Sequence, residues 1–275
     1  LDGDGRPISL TLSNVTRGVI QDFRIVSPPF WSNTVSDSLD VVYDGMYVNA
    51  TNTNTTSAGQ NIVPNTDGID TYRAKNIQLT NWDVTCGDDA IAIKGNSTNI
   101  AIKNLVIRGG NGVAFGSLGQ YYQFPNMANG VYFKSWDDTV NGLPPTSGGG
   151  GGGYCRDVTL KDFYLNNVSI PTQIYQANGG KVRSRLHFAE SKYSHLEYKS
   201  GDTPSYLKFS NISWTNWQGT TVGTTLVDLA CSSNALCGGM LFRQFDVKVV
   251  GGANGAYKCS NTLDVTGIAD CSYTE

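Results

Sequence analysis

The sequence predicts an all-β fold in which short parallel strands wind into a stack of coils, a parallel β-helix. Three observations carry that prediction. A strand–turn–strand pattern recurs along the chain, neighbouring copies lie just over twenty residues apart, and 32 glycines accompany very little helical apolar periodicity. Alternating apolar residues share one face of a strand, and an Asn or Asp between two such runs suits a left-handed or tight turn.

The copies appear in chain order. A weak one is Gly18-Val19-Ile20-Gln21-Asp22-Phe23-Arg24-Ile25. The clear ones begin with Ile77-Gln78-Leu79-Thr80-Asn81-Trp82-Asp83-Val84, and Ile100-Ala101-Ile102-Lys103-Asn104-Leu105-Val106-Ile107 follows 23 residues later. Val158 to Leu165 repeats the pattern around Asp162, and Leu207 to Trp214 repeats it around Asn211. The switch of apolar parity across each turn keeps both strands facing one interior, as a stacked solenoid requires. A β-sandwich is the alternative, and Asn111-Gly112, Asn129-Gly130 and Asn141-Gly142 are its hairpin signals. Ser147 and the six glycines from Gly148 to Gly153 read as a surface loop beside the groove. The repeat continues on both sides of them, which argues against an interdomain linker, so residues 1–275 read as one domain.

Composition narrows the function. A net charge of −3 gives no footprint for nucleic acid, and no apolar run is long enough for a membrane span. Six Asn-X-Ser/Thr triplets and six cysteines suggest the secretory route and an extracellular enzyme. The alternative is a set of reduced thiols in a cytosolic protein. Cys231 with Cys237, and Cys259 with Cys271, are near neighbours and are expected to form disulfides, leaving Cys86 and Cys155 free and buried. Asn14, Asn49, Asn54, Asn96 and Asn167 are the expected glycosylation sites. Asn211 is set apart because its amide would join a buried turn ladder.

The densest polar signal runs from Asn65 to Tyr121. Asn65-Thr66-Asp67-Gly68 is followed by Gly87-Asp88-Asp89, with Asp67 and Asp88 21 residues apart and Asp88 and Asn111 23 apart. One coil of spacing stacks such residues on one surface patch, so Asp67, Asp88, Asp89 and Asn111 should converge in an open groove. Asp88 and Asp89 can both face it only at a corner, which Gly87 permits. Crowded carboxylates raise one another's pKa, and an acid beside an ionised base is the pair that glycoside hydrolysis needs. An inverting site places the two about 6.5–9.5 Å apart. Calcium held by Asp67 with Asp70, or by Asp88 with Asp89, and plain turn chemistry are the competing readings.

These residues resemble glycoside hydrolase family 28, the polygalacturonases and rhamnogalacturonan hydrolases. The Asn-Thr-Asp and Asp-Asp motifs match in order, and the resemblance runs from Arg6 to Trp217. It implies a right-handed, single-stranded parallel β-helix and inverting hydrolysis of a pectic substrate without metal or cofactor. It implies Asp88 as general acid, with Asp67 and Asp89 holding the attacking water. Two positions depart from the family pattern: its histidine falls on Asn111, and the arginine of its Arg-Ile-Lys falls on Tyr132, in Tyr132-Phe133-Lys134. An arginine grips a uronate bidentately, whereas tyrosine offers a ring and one hydroxyl. Rhamnose, which carries a methyl and no carboxylate, suits Tyr132 and Phe133, while Lys134 remains for one uronate. Lys94-Gly95-Asn96 and Gly116 to Tyr121 look like the exo-acting members. The substrate-binding set is therefore Asn65, Lys94, Asn111, Tyr121, Tyr132 and Lys134.

Together these readings give a secreted, monomeric, exo-acting hydrolase of rhamnogalacturonan. Exo-polygalacturonase is the near alternative, and a non-catalytic polysaccharide-binding β-helix is the alternative of another class. His187 and His195 show no metal or catalytic spacing, and nothing marks Ser117 as a nucleophile. Only 64 residues precede Asn65, fewer than family members carry, so the chain is expected to lack N-terminal coils of a longer protein.

Overall fold

The computed structural model describes residues 5–51, 64–118, 129–136, 152–178, 205–269 and 271. Every strand ladder among them is parallel. Nine strands pair in chain order into one sheet: Leu10–Ser13, Asn33–Ser36, Ile69–Tyr72, Ile91–Ile93, Val113–Leu118, Asn129–Trp136, Ile170–Asn178, Thr225–Ala230 and Ala256–Ser260. A parallel pair cannot be closed by a hairpin, so each pairing takes the chain once around a coil. The remaining strands line the other walls. Thr16–Gln21, Leu39–Asp44, Lys75–Thr85 and Thr98–Arg108 pair in succession, with Arg24–Val26 and Tyr47–Asn49 stacked on the last residues of Lys75–Thr85. Further along, Gly153–Val168, Leu207–Thr221, Cys237–Val249 and Thr262–Thr266 do the same.

The turn residues behave as their chemistry dictates. Asp22, Asn81, Asn104 and Asp162 all have positive φ, between 49° and 61°, the region that Asn and Asp tolerate best. A second set of positive-φ residues lies five positions earlier, at Arg17, Asn76, Asn99 and Asp157. The side-chain amides join successive coils: Asn104 donates to Asn81 at 3.0 Å and Asn81 to Asp44 at 2.7 Å, while Asn99 donates to Asn76 at 3.0 Å and Asn76 to Asp40 at 2.8 Å. The two sets correct one alignment. Ile212 pairs with Val158, so Asn211 stacks on Asp157, and the partner of Asp162 is Asn216, whose amide donates to it at 2.7 Å. The copy read at Leu207 to Trp214 is thus one turn out of phase, because the apolar pattern fits either turn.

Alternation fills the coil interior with aliphatic and aromatic layers. Ile77, Leu79, Trp82 and Val84 are fully buried under one strand. Farther along, Phe115 stacks on Phe133 at 4.5 Å, Phe133 meets Trp214 edge-on at 6.2 Å, and Trp214 stacks on Phe242 at 4.4 Å. Each such ring contributes about 1.5–3 kcal/mol by burial.

Cys231 is bonded to Cys237, and Cys259 to Cys271. Cys86 is free and buried, but Cys155, expected to be buried as well, is partly exposed. Asn211 does join a turn ladder, donating to Asp157 at 3.2 Å, yet that ladder is exposed, contrary to the buried position expected. Turn residues of a coil project outward, so their amides can pair while still facing water. Asn14, Asn96 and Asn167 are exposed and Asn49 is half-buried. Asn54, Tyr121, His187, His195 and most of the Ser147 to Gly153 run lie outside the described residues.

Candidate active site

The nine-strand sheet gathers the acids. Ile69, Ile91 and Val113 are successive partners, and Asp67, Asp89 and Asn111 each stand two residues before them. These three therefore form one column. Sequence spacing had stacked Asp67, Asp88 and Asn111 instead. Asp88 is one residue out of that column because Ile69, Ile91 and Val113 make each of these coils 22 residues long, and Asp67 and Asp88 are only 21 apart.

The bend between Lys75–Thr85 and Ile91–Ile93 lets two adjacent aspartates reach one site. Asp88 Oδ1 accepts the Asp89 backbone N–H at 2.9 Å, and Oδ2 accepts that of Asn65 at 2.9 Å. The first motif is shaped to receive it. Asn65 has φ 57°, the Thr66 hydroxyl accepts the Gly87 N–H at 2.9 Å, and a Cβ on Gly68 would lie 2.3 Å from the Ala90 carbonyl oxygen. Gly110 is tighter still: its φ is 64° and a Cβ would lie 2.0 Å from the Asp88 carbonyl oxygen. Only glycine fits there.

One oxygen of each of Asp67, Asp88 and Asp89 lies within 4.8 Å of the other two. That is closer than the gap expected for an inverting pair. Asp67 stands one rung, about 4.8 Å, from Asp89, and Asp88 and Asp89 are consecutive residues. The site is also not the open groove expected, since the three are 0, 5 and 0% exposed. Burial therefore governs their protonation. It pushes Asp67 well above the usual carboxylate range, with Asp70, Asp88 and Asp89 adding to the rise. Burial, then the Asp89 charge, raises Asp88 to about 6. Asp89 goes the other way. Burial would raise it, but the Lys134 and Lys94 charges and bonds from Lys134 and Asn111 together hold it below its ordinary value.

The donors explain that contrast. Lys134 Nζ lies 2.8 Å from Asp89 Oδ2, and Asn111 Nδ2 donates to Asp89 Oδ1 at 3.0 Å and to Asp88 Oδ1 at 3.2 Å. Lys134, read as a cation for uronate, is thus committed to Asp89. Lys94, also read as substrate-binding, pairs with buried Asp70 at 3.0 Å and sits 5.3 Å from the Trp31 ring centre. Asp70 and Trp31 were missed as site residues. Asp70 had been weighed only as a calcium ligand, and Trp31 carries no motif. The signal was register: Asn33 pairs with Leu10 and Thr34 with Asp70, which brings Trp31 level with Asp67. Among the described residues, Asp67, Asp88 and Asp89 form the group that could hold a metal ion. The lysine and the amide already face Asp88 and Asp89, which fits an internally neutralised carboxylate cluster better than a cation cage.

The family model for glycosyl hydrolases family 28 matches residues 1–268. The chain belongs to this family. It is 35% identical over 274 residues to an Aspergillus flavus protein named galacturan 1,4-alpha-galacturonidase A, covering 89% of this chain and 60% of that protein. It is 30% identical over 279 residues to an alpha-L-rhamnosidase of Aspergillus niger, covering 95% of this chain and 60% of that one. The chain thus spans about three fifths of the length of these curated relatives. Among solved structures, the endo-xylogalacturonan hydrolase of Aspergillus tubingensis superposes with a TM-score of 0.74 at 23% identity, over 96% of this chain and 68% of that one. The shared fold is the right-handed parallel β-helix.

Within this family-28 chain the two departures acquire structure. Asn111, read above as taking the place of the family's histidine, bridges Asp88 and Asp89 through one amide. Tyr132, read above as taking the place of the family's arginine, has its ring 5.4 Å from Lys134 Nζ and is buried among the acids' neighbours.

Proposed function

We propose that the protein carrying this chain is an extracellular, monomeric, exo-acting glycoside hydrolase that cleaves α-glycosidic bonds of rhamnogalacturonan with inversion. The observation that carries the reading is the unlike protonation of two adjacent carboxylates. Asp88, raised to about 6, keeps a proton for the leaving glycosidic oxygen in mildly acidic medium. Asp89 stays ionised beside Lys134 and accepts the proton of the attacking water, which Asp67 helps to hold. Inversion rests on family membership, because the carboxylates sit closer than the about 6.5–9.5 Å of a two-carboxylate inverting site. Tyr132 in place of an arginine supports a neutral sugar beside the cleaved bond. Asn65, Asn111 and Tyr121 complete the binding set.

Exo-polygalacturonase activity is the second reading, favoured by the galacturonidase name of the Aspergillus flavus relative. The test is product analysis on rhamnogalacturonan oligomers and on polygalacturonate, with Asp88→Asn as control. Monomer released from the former with inverted anomeric configuration, read by NMR of the fresh product, is expected. Release from polygalacturonate alone moves the assignment to the second reading. A retained anomer removes the stated roles of Asp67 and Asp89, and binding of both polymers without turnover replaces the enzyme by a polysaccharide-binding protein.

A further inference from the structure

Beyond the acids, the nine-strand sheet carries a polar column that the chemistry above does not use. Ala92, Ala114, Tyr132, Gln173, Asp228 and Lys258 are successive partners on six neighbouring rungs, following Asp70. Residues of one column point to one side of a sheet, and Asp70 and Tyr132 fix this side as that of the acids. Tyr132 touches the site directly through Lys134, which is ion-paired with Asp89. Gln173 and Asp228 occupy the next two rungs, about 10 Å of sheet measured from Tyr132, or the length of one to two pyranose rings.

Both side chains are buried, at 9% and 6% exposure, which is costly for every polar atom left without a hydrogen bond. They are held to each other: Gln173 Nε2 donates to Asp228 Oδ2 at 2.8 Å. That bond fixes the amide so that Gln173 Oε1 is left over, and this oxygen is buried with no hydrogen-bond partner among the described residues. A buried acceptor held in place without a donor is a binding group for a hydroxyl. An Asp228 carboxylate beside it also accepts hydroxyls, and it repels another carboxylate. Tyr132 adds a ring face and a phenol, which burial and the neighbouring Tyr175, Asp89 and Asp228 keep protonated as a donor.

We propose that Gln173 and Asp228, next to Tyr132, form the subsite for the sugar on one side of the cleaved bond, and that it accepts a neutral sugar and rejects a uronate. The inference rests on the hydrolase reading above and names which residues choose the substrate. Its physical basis is asymmetric. Pairing the sugar's hydroxyls satisfies the orphaned Gln173 oxygen, whereas a uronate carboxylate at that place meets a like charge and loses its hydration.

The test uses two isosteric changes with opposite expected signs, Asp228→Asn and Gln173→Glu. The substrates are digalacturonate and the galacturonate–rhamnose disaccharides of both linkage orders, and kcat/KM is measured for each. The unaltered protein should prefer a mixed disaccharide. Asp228→Asn should narrow that preference by about tenfold, and Gln173→Glu should widen it, since one removes and the other adds a negative group. Equal changes on all substrates, or a preference for digalacturonate in the unaltered protein, overturn the proposal. The same ratio is read as Kd in an Asp88→Asn background. Binding preference shifting as stated without turnover in any form would sink the hydrolase reading and leave this subsite standing. Unshifted binding with normal turnover would do the reverse.

Discussion

At the scale of single residues, the site depends on how tightly two backbones approach. Gly110 has no room for a methyl group, since the Asp88 carbonyl oxygen lies 2.0 Å from where a Cβ would be. Gly110→Ala should displace Asp88 without removing any of the three carboxylates. Kinetics should show kcat down about a hundredfold, the usual cost of a catalytic group misplaced by an ångström. An unaltered kcat would show that Asp88 is not held through this contact. Lys134 offers a second residue-scale test. Its charge is the largest influence holding Asp89 ionised against burial. Lys134→Met should therefore raise the Asp89 pKa and move the acid limb of the kcat/KM profile to higher pH. The alkaline limb, set by loss of the Asp88 proton, should also move to higher pH, because the Lys134 charge lowers Asp88 as well.

At the scale of elements, the coils are fixed by turn ladders and by interior stacks, and each predicts its own loss. Asn81 both donates to Asp44 and accepts from Asn104, and its φ is 58°. Asn81→Ala loses both bonds and forces a Cβ residue without a compensating amide into a left-handed turn, at a cost of about 1–2 kcal/mol for the conformation alone. Asn81→Gly removes the conformational part, so denaturant melts should rank the two with glycine the milder. Inside the coils, Trp214 is fully buried, and its indole N–H donates to the Thr172 hydroxyl at 2.9 Å. Trp214→Ala should cost about 3–5 kcal/mol. The missed phase of the Asn211 copy also belongs to this scale. Apolar alternation marks a strand but not which of two turns five residues apart it abuts, and only pairing of Ile212 with Val158 decides that.

For the whole molecule, the acid cluster couples stability to pH. Asp70 is raised to about 7, chiefly by burial against the opposing pull of Lys94, Asp88 is raised to about 6, and Asp67 is raised well beyond its ordinary value. A carboxyl raised in the folded state binds its proton more tightly there than in the unfolded chain. The stability it contributes is complete below the unfolded value near 3.8 and is lost as pH rises through the folded one. Asp89 runs opposite: its lowered pKa adds stability above 3.8 that is lost in stronger acid. Three raised groups outweigh one lowered one, so Tm should be higher at about pH 4.5 than at about pH 8. Asp67→Asn should reduce that slope and raise Tm at the alkaline end while abolishing turnover, since the buried charge is removed. A slope unchanged by Asp67→Asn would show that this carboxyl carries no such load.

The sequence by itself determined the periodic features. Alternation fixed which residues face the interior, Asn and Asp marked the left-handed turns, and one-coil spacing placed Asp67, Asp88 and Asp89 in the same neighbourhood. These depend on residue type and local geometry, which a linear string records. The tertiary structure alone decided register, burial and pairing. Asp89 and not Asp88 shares a column with Asp67 and Asn111 because pairing of Ile69, Ile91 and Val113 sets these coils at 22 residues. Lys134 reaches Asp89, and Lys94 reaches Asp70, across rungs whose sequence separation varies with the loops between them. The division of protonation between Asp88 and Asp89 follows from those cations and from exclusion of water, and both arise only when the coils stack.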